Sequence, residues 1–485
     1  MPKTIATPLA LLIAAACAAG ASLAQTEPAE PPPLPAAPTV SAPPAEPAPP
    51  AEPATPATPP AAVSPPSTAT GPRGPLDPVG LVPYNVLGDD TKTETAKSSF
   101  NPMISVIFDG LFYRDSVDGA GSDLLSEADG FHRHGTEDGH SHGTTEEGFS
   151  LREVELTFSG SVDPYFDLWA IFAISEEGLE VEEVYAQTGK FIPGFQLKAG
   201  QFYSGIGYEN SQHPHQWSFV NQSLPYELIF DGALNEVGLQ LNWLPALPFY
   251  LRLGVEAVQG ENPGVASYYG GGDENPWFED AAGPRLFNAF VKVAPNLGYS
   301  SALQVGGFYG TGRTHQELHD EDEDGVIDEA FQGTTDFWGL DVVYKYDSPR
   351  EYGQGDLTLQ GEYIARGRDL DLVAEAGEAI DPVPYTFDQD AYYVQGVYGF
   401  APRWTFGARY DRAGSTNEQS GGDESESFGS TSRWSGAVTF DPTEFSRVRV
   451  QYDRSQVAVD GGPQDVNAWY VQLQLSLGAH GAHKF

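Results

Sequence analysis

Four of the chain's ten histidines fall within eleven residues, in the segment His132-Arg133-His134-Gly135-Thr136-Glu137-Asp138-Gly139-His140-Ser141-His142. Two His-x-His pairs with carboxylates between them offer imidazole nitrogens and oxygens, a donor set that suits zinc, copper or nickel. The glycines leave the segment pliable enough to gather round an ion. His132, His134, His140 and His142 are therefore a candidate metal site with zinc as the expected ion, the alternative being a solvated loop that binds metal only incidentally. A second pair, His213-Pro214-His215, stands near Trp217. Pro214 holds its two rings apart, which is as compatible with packing as with ligation. The run Asp320-Glu321-Asp322-Glu323-Asp324-Gly325-Val326-Ile327-Asp328 places carboxylates at positions one, three, five and nine of a calcium loop and glycine at six. Phe331 stands at position twelve, where an EF-hand carries a bidentate Glu. Asp320, Asp322, Asp324 and Asp328 thus point to a loop-stabilising calcium site of another kind, or to a plain acidic loop. No cofactor is required by anything else in the chain, and His480 and His483 near its end have no evident use. No serine or cysteine is paired with a histidine by spacing, so the reading is not an enzyme.

The segments that would position these residues begin with a targeting signal. Lys3 precedes an uncharged run from Ala6 to Ala19 and then Ala21-Ser22-Leu23-Ala24, which reads as a signal peptide at 1–24. The only cysteine, Cys17, lies inside it, so disulfides carry no stability in the mature chain. Pro, Ala, Thr, Ser and Glu dominate from Gln25 to about Gly74, a composition that buries no core, and 25–98 reads as a disordered periplasmic spacer. Lys and Arg number 25 against 68 Asp and Glu, a formal charge of −43. Nucleic acid is thereby an unsuitable partner. No stretch reaches the roughly 20 apolar residues of a membrane-crossing helix.

From 99 to 485 the texture is one of short alternating segments with a period of two. Val237, Leu239, Leu241 and Trp243 alternate with Gly238, Gln240 and Asn242, and Val448, Val450 and Tyr452 with Arg447, Arg449 and Gln451. Strand centres at Val106, Leu156, Ile171, Val184, Leu197, Leu239, Leu253, Phe290, Val305, Val342, Leu359, Val394, Phe406, Val438, Val450 and Leu473 make sixteen. Tight turns at Asp163-Pro164, Ile192-Pro193-Gly194, Pro245 to Pro248, Pro295-Asn296, Ala401-Pro402 and Asp441-Pro442 alternate with long polar loops. Those loops are expected at Arg114 to Gly148, Ser204 to Ala233, Gln259 to Pro284, Thr311 to Thr334, Arg368 to Asp388 and Arg412 to Ser430. Such parity belongs to an all-β, transmembrane antiparallel barrel of about sixteen strands, closed because lipid cannot hydrogen-bond a free sheet edge. Trp469, Val471, Leu473, Leu475, Leu477 and the terminal Phe485 all fall on one face of the last strand. A terminal Phe there looks like the signal read by the barrel assembly machinery.

The stretch Lys198-Ala199-Gly200-Gln201-Phe202, then Ser204-Gly205-Ile206-Gly207-Tyr208-Glu209, then a long loop closing with Ser223-Leu224-Pro225, resembles the phosphate-selective porin O/P family. The resemblance implies that this loop, with His213, His215 and Trp217, folds into the barrel and narrows it. The ending and the His-rich loop resemble poorly characterised zinc-regulated outer-membrane proteins. Phosphate porins carry basic ladders, yet the polar faces here set Arg252, Arg409, Arg447 and Arg449 against Glu153, Glu155, Glu183, Glu256 and Glu362. An acidic lumen concentrates cations and repels phosphate. The sequence thus predicts an outer-membrane, cation-preferring porin for passive diffusion of small solutes, with divalent-metal-binding loops. Its expected partners are outer-membrane lipid and lipopolysaccharide, the assembly machinery and metal ions, and by family analogy two further copies in a homotrimer. The alternatives are a receptor for zinc or another metal, and a structural barrel tied to the cell wall.

Overall fold

In a computed structural model the chain is described over residues 102–131, 145–176, 178–189, 192–272, 275–319, 327–421, 424–459 and 461–478. The signal peptide, the spacer, His132, His134, His140, His142, Asp320, Asp322, Asp324, His480, His483 and Phe485 lie outside the described residues. Alternating apolar and polar residues give seventeen strands among the described residues: β1 (Met103–Asp115), β2 (Gly148–Ser161), β3 (Phe166–Ile174), β4 (Leu179–Thr188), β5 (Phe195–Tyr203), β6 (Asn235–Trp243), β7 (Tyr250–Val258), β8 (Leu286–Ala294) and β9 (Ser301–His319). They continue as β10 (Glu329–Tyr346), β11 (Leu357–Glu375), β12 (Glu378–Ala401), β13 (Trp404–Gly421), β14 (Glu424–Ser427), β15 (Thr431–Thr443), β16 (Ser446–Val457) and β17 (Gln464–Gly478). Every pairing is antiparallel, and β1 closes the sheet by pairing with both β2 and β17, Val106 lying opposite Leu156 and Leu477. The four-residue β14 pairs with the outer end of β13 at Glu418–Gly421, beyond the stretch that β15 covers. Sixteen strands therefore form the closed wall, and each of the sixteen expected centres lies in one of them.

The two faces differ as lipid and water would require. Val237, Leu239, Leu241 and Trp243 are exposed on the outside, as are Trp469, Val471, Leu473, Leu475 and Leu477, whereas Gln240 and Asn242 between the first set are 1% exposed. A closed barrel has no free edge, so its exterior can meet hydrocarbon while its interior keeps polar groups wet or paired. The chain is an outer-membrane β-barrel.

Three of the expected outer loops are strand instead. β9 and β10 run through Thr311 and Thr334, β13 runs to Gly421, and β11 and β12 meet at a two-residue turn of Ala376 and Gly377, both with positive φ. The alternation persists there in a different dress: Arg366, Arg368, Leu370 and Leu372 are buried while Asp369 and Asp371 between them are exposed. A strand rising beyond the membrane can be polar on both faces, which mimics a loop in composition. The turn expected at Asp441-Pro442 also moves along, because β15 continues to Thr443 and the chain reverses at Glu444 and Phe445. Inside the barrel an apolar cluster joins Phe202, Ile206, Leu224, Tyr226 and Phe230 to wall residues Phe290, Phe308, Phe337 and Tyr393. The core thus sits between the wall and the 204–234 connection, which lies within the lumen.

Candidate functional site

The inward turn of this connection starts where β5 ends. Ser204 Oγ and Gly205 N–H donate to Glu256 at 2.5 and 2.8 Å. Gly207 has φ +52°, and a Cβ there would overlap both Tyr226 Oη and Glu362, so the bend requires glycine. The N–H groups of Tyr208 and Glu209 then donate to Glu362 at 2.9 and 2.8 Å, joined by the hydroxyls of Tyr226 and Tyr393 at 2.7 Å each. Glu256 also accepts Gln240 Nε2 and Asn288 Nδ2, and Glu236 accepts three N–H groups of the next loop, from Gly260, Glu261 and Asn262. Carboxylates are chosen for this because an ionised acceptor binds N–H groups more strongly than a neutral one.

The opposite wall grips the same loop through its carbonyls. Arg449 donates to the carbonyls of Trp217 and Phe219 at 2.9 Å, Arg409 to those of Asn221 and Gln222 at 2.9 and 3.0 Å, and Arg447 to that of His215 at 3.2 Å. Arg433 reaches the Gln222 carbonyl and pairs with Glu227 at 2.9 Å. Arg252 instead lies on the inner wall, donating to Asn242 at 2.9 Å and stacked over Phe290. Trp217 donates its ring N–H to the Gln212 carbonyl at 3.1 Å beneath the Arg152 guanidinium. Arg409, Arg447 and Arg449 are thus engaged in holding the loop rather than lining an open anion ladder.

A second group of inward carboxylates has different company. Glu153 and Glu155 on β2 and Glu182 and Glu183 on β4 converge on His213 and His215 at the loop's near end. His213 Nδ1 lies 3.3 Å from Glu182 Oε2 and 3.6 Å from Glu155 Oε2, and its Nε2 lies 3.2 Å from Glu183 Oε2. His215 Nδ1 is 2.9 Å from the same Glu155 oxygen, yet neither atom has a hydrogen-bond partner of acceptable direction, and Glu153 Oε1 has none either. The two imidazoles stack 5.9 Å apart. Burial by itself would lower the basicity of His213, but Glu182 and Glu155 outweigh it and hold the ring well above the ordinary histidine range. Between β2 and β4, β3 places the small Ala173 opposite Glu155, which leaves the carboxylates room to meet.

All the expected lumen charges, Glu153, Glu155, Glu183, Arg252, Glu256, Glu362, Arg447 and Arg449, face inward. All but the half-buried Arg447 are buried. Glu182 was not foreseen, because strict alternation sends it to the lipid face once Glu183 points in. The β3–β4 register slips between Ile171 and Phe172, a bulge opposite which Glu182 and Glu183 both turn inward. The signal is in the sequence: an adjacent acid pair inside Val181-Glu182-Glu183-Val184 cannot alternate without putting a carboxylate into hydrocarbon. A second bulge at Asp109/Gly110 turns Arg152 inward beside Glu153 in the same way. Asp328, the one described member of the calcium-like loop, donates its backbone N–H to the His319 carbonyl at 2.8 Å.

An uncharacterized protein of Aquifex aeolicus (strain VF5) is 36% identical over 399 residues, spanning 80% of this chain and 81% of that protein. No protein-family model matches the chain. Among solved structures, a loop-deletion form of OmpT, an outer membrane protein of Vibrio cholerae, covers 78% of this chain and 99% of its own length at 12% identity and a TM-score of 0.46. The outer membrane channel DcaP of Acinetobacter baumannii covers 78% and 96% at 13% identity and 0.44, and OprB of Pseudomonas putida 78% and 94% at 10% and 0.44. Likeness at that level transfers no activity, and the barrel stands on its own strand pairing.

Proposed function

We propose that this chain, which belongs to the same family as the uncharacterized Aquifex aeolicus protein, is a porin-like channel for passive diffusion that prefers cations. The observation that carries the reading is the charge of the interior: fourteen carboxylates are buried among the described residues against nine Lys and Arg. Low-dielectric walls focus the field of that excess onto whatever path remains beside the inward loop. Near the short-turn end a cavity of 170 Å³ is bounded by Tyr208, Gln212, His215, Lys345, Gln360 and Arg447. Gathering of divalent ions by His132, His134, His140 and His142, calcium at Asp320, Asp322, Asp324 and Asp328, and assembly as a homotrimer belong to the same proposal.

The test is the zero-current potential of the purified protein in a planar bilayer across a potassium chloride gradient. Conductance with the sign of cation preference is expected. Anion preference would return the phosphate-type reading, and a barrel that never conducts would replace the channel with a receptor or a structural protein.

A further inference from the structure

The Glu153, Glu155, Glu182 and Glu183 carboxylates occupy one small volume, where mutual repulsion must be offset by positive charge, from a proton on His213 or from a bound cation. Two imidazoles face them, and the donor atoms fall into two sets. Glu155, Glu182 and His213 form one, Glu153, Glu155 and His215 the other, and within each the atoms lie inside 4.8 Å of one another. Bonds of about 2.0–2.2 Å to a four-coordinate zinc space its donors by roughly 3.3 Å. The separations of 2.9, 3.3 and 3.6 Å among the imidazole nitrogens and carboxylate oxygens bracket that value. His215 Nδ1 and Glu155 Oε2 meet at 2.9 Å with poor hydrogen-bond direction, a spacing that two ligands of one ion also show.

We propose that the barrel interior holds a divalent transition-metal site of the zinc class, with Glu182 and His213 Nδ1 on one ion, Glu153 and His215 Nδ1 on an adjoining one, and Glu155 shared between them. His213 Nε2–H then donates to Glu183 at 3.2 Å, the carboxylate–imidazole–metal arrangement that fixes tautomer and ring orientation. Nitrogen and carboxylate donors together select zinc, cobalt, nickel or manganese over calcium and magnesium, which take oxygen alone. His215 also borders the 170 Å³ cavity, whose volume is far above the roughly 10–15 Å³ that one water needs. Lys345, Thr358 and Arg447, which border it too, each lie one residue in from the end of a strand. The site goes beyond the channel reading and does not depend on it.

The experiment is equilibrium dialysis of the folded full-length protein in detergent against zinc chloride, with bound metal counted by mass spectrometry. To silence the other histidine groups of the sequence, it is done in a background with His132, His134, His140, His142, His480 and His483 changed to Ala. That background should retain zinc, and Glu155→Gln should weaken it by roughly 100-fold or more, with His213→Gln and Glu182→Gln as independent second variants. Heat-dependent gel migration confirms that each variant is a folded barrel. A background that holds no zinc, or folded variants that hold it as tightly as the background, would overturn the site and leave the cluster balanced by a proton on His213. Because the readout is bound metal, a barrel that binds zinc without conducting contradicts only the channel, and one that conducts without binding contradicts only the site.

Discussion

Glu362 and Glu155 both project from the wall into the barrel, and both are buried among other acids, but their surroundings differ. Glu362 receives two backbone N–H groups and two tyrosine hydroxyls. Glu155 receives only Thr157 Oγ1 on one oxygen, while the other faces two imidazoles. One carboxylate is satisfied by the loop it holds; the other is arranged around a place for a cation. An inward acid in a barrel therefore has no single meaning, and the donors supplied by the chain that enters the lumen decide which role it takes.

The largest effect is expected at Glu362. Glu362→Gln keeps the shape but offers one acceptor oxygen to four donors, so about two charge-assisted bonds of roughly 1.5–3 kcal/mol each are lost. Residues 204–234 should then exchange amide hydrogens faster and admit proteases, and the conductance should rise. Unchanged protection would mean that Glu362 does not fasten the loop. A smaller effect is expected from Glu209, which lies in the loop outside the spanning strands. Burial pushes its carboxyl up from 4.5 to about 7, against the pull of Arg409. A raised acid favours the folded loop while protonated, so protection should be full below pH 4.5, decline as pH rises to 7 and level off above it. Hydrogen exchange across that range should show the decline, and Glu209→Gln should flatten it. The smallest effect belongs to Glu155→Gln in the presence of a chelator, where the relief of one repelling charge and the loss of one partner of His213 oppose each other and melting should change little. Added zinc should separate the two proteins, raising the melting temperature of the unaltered one alone. A large loss of stability in chelator would place Glu155 with Glu362 as a structural acceptor.

The barrel was legible because alternation is a local property: Gln240 and Asn242 must face away from Leu239 and Leu241 whatever the rest of the chain does. The lumen acids were legible for the same reason. Glu182 was not, since a bulge is a break in alternation that only the doublet with Glu183 announces. Nor could spacing show that Arg409, Arg447 and Arg449 hold backbone carbonyls, because their partners lie some two hundred residues away and are the same in every residue. The outer ends of β9 to β13 read as loops because, above the membrane, polar composition no longer separates strand from coil. His213 and His215 stood out as a pair, but their carboxylates come from two strands that only closure of the sheet brings to them.

The most direct measurement is an anomalous-difference map, recorded at the zinc absorption edge, of crystals grown with zinc. Density is expected within bonding distance of Glu155, Glu182 and His213 Nδ1, and none at Glu256 or Glu362. Zinc found only away from these residues, with His213 Nδ1 still donating to Glu182, would contradict it.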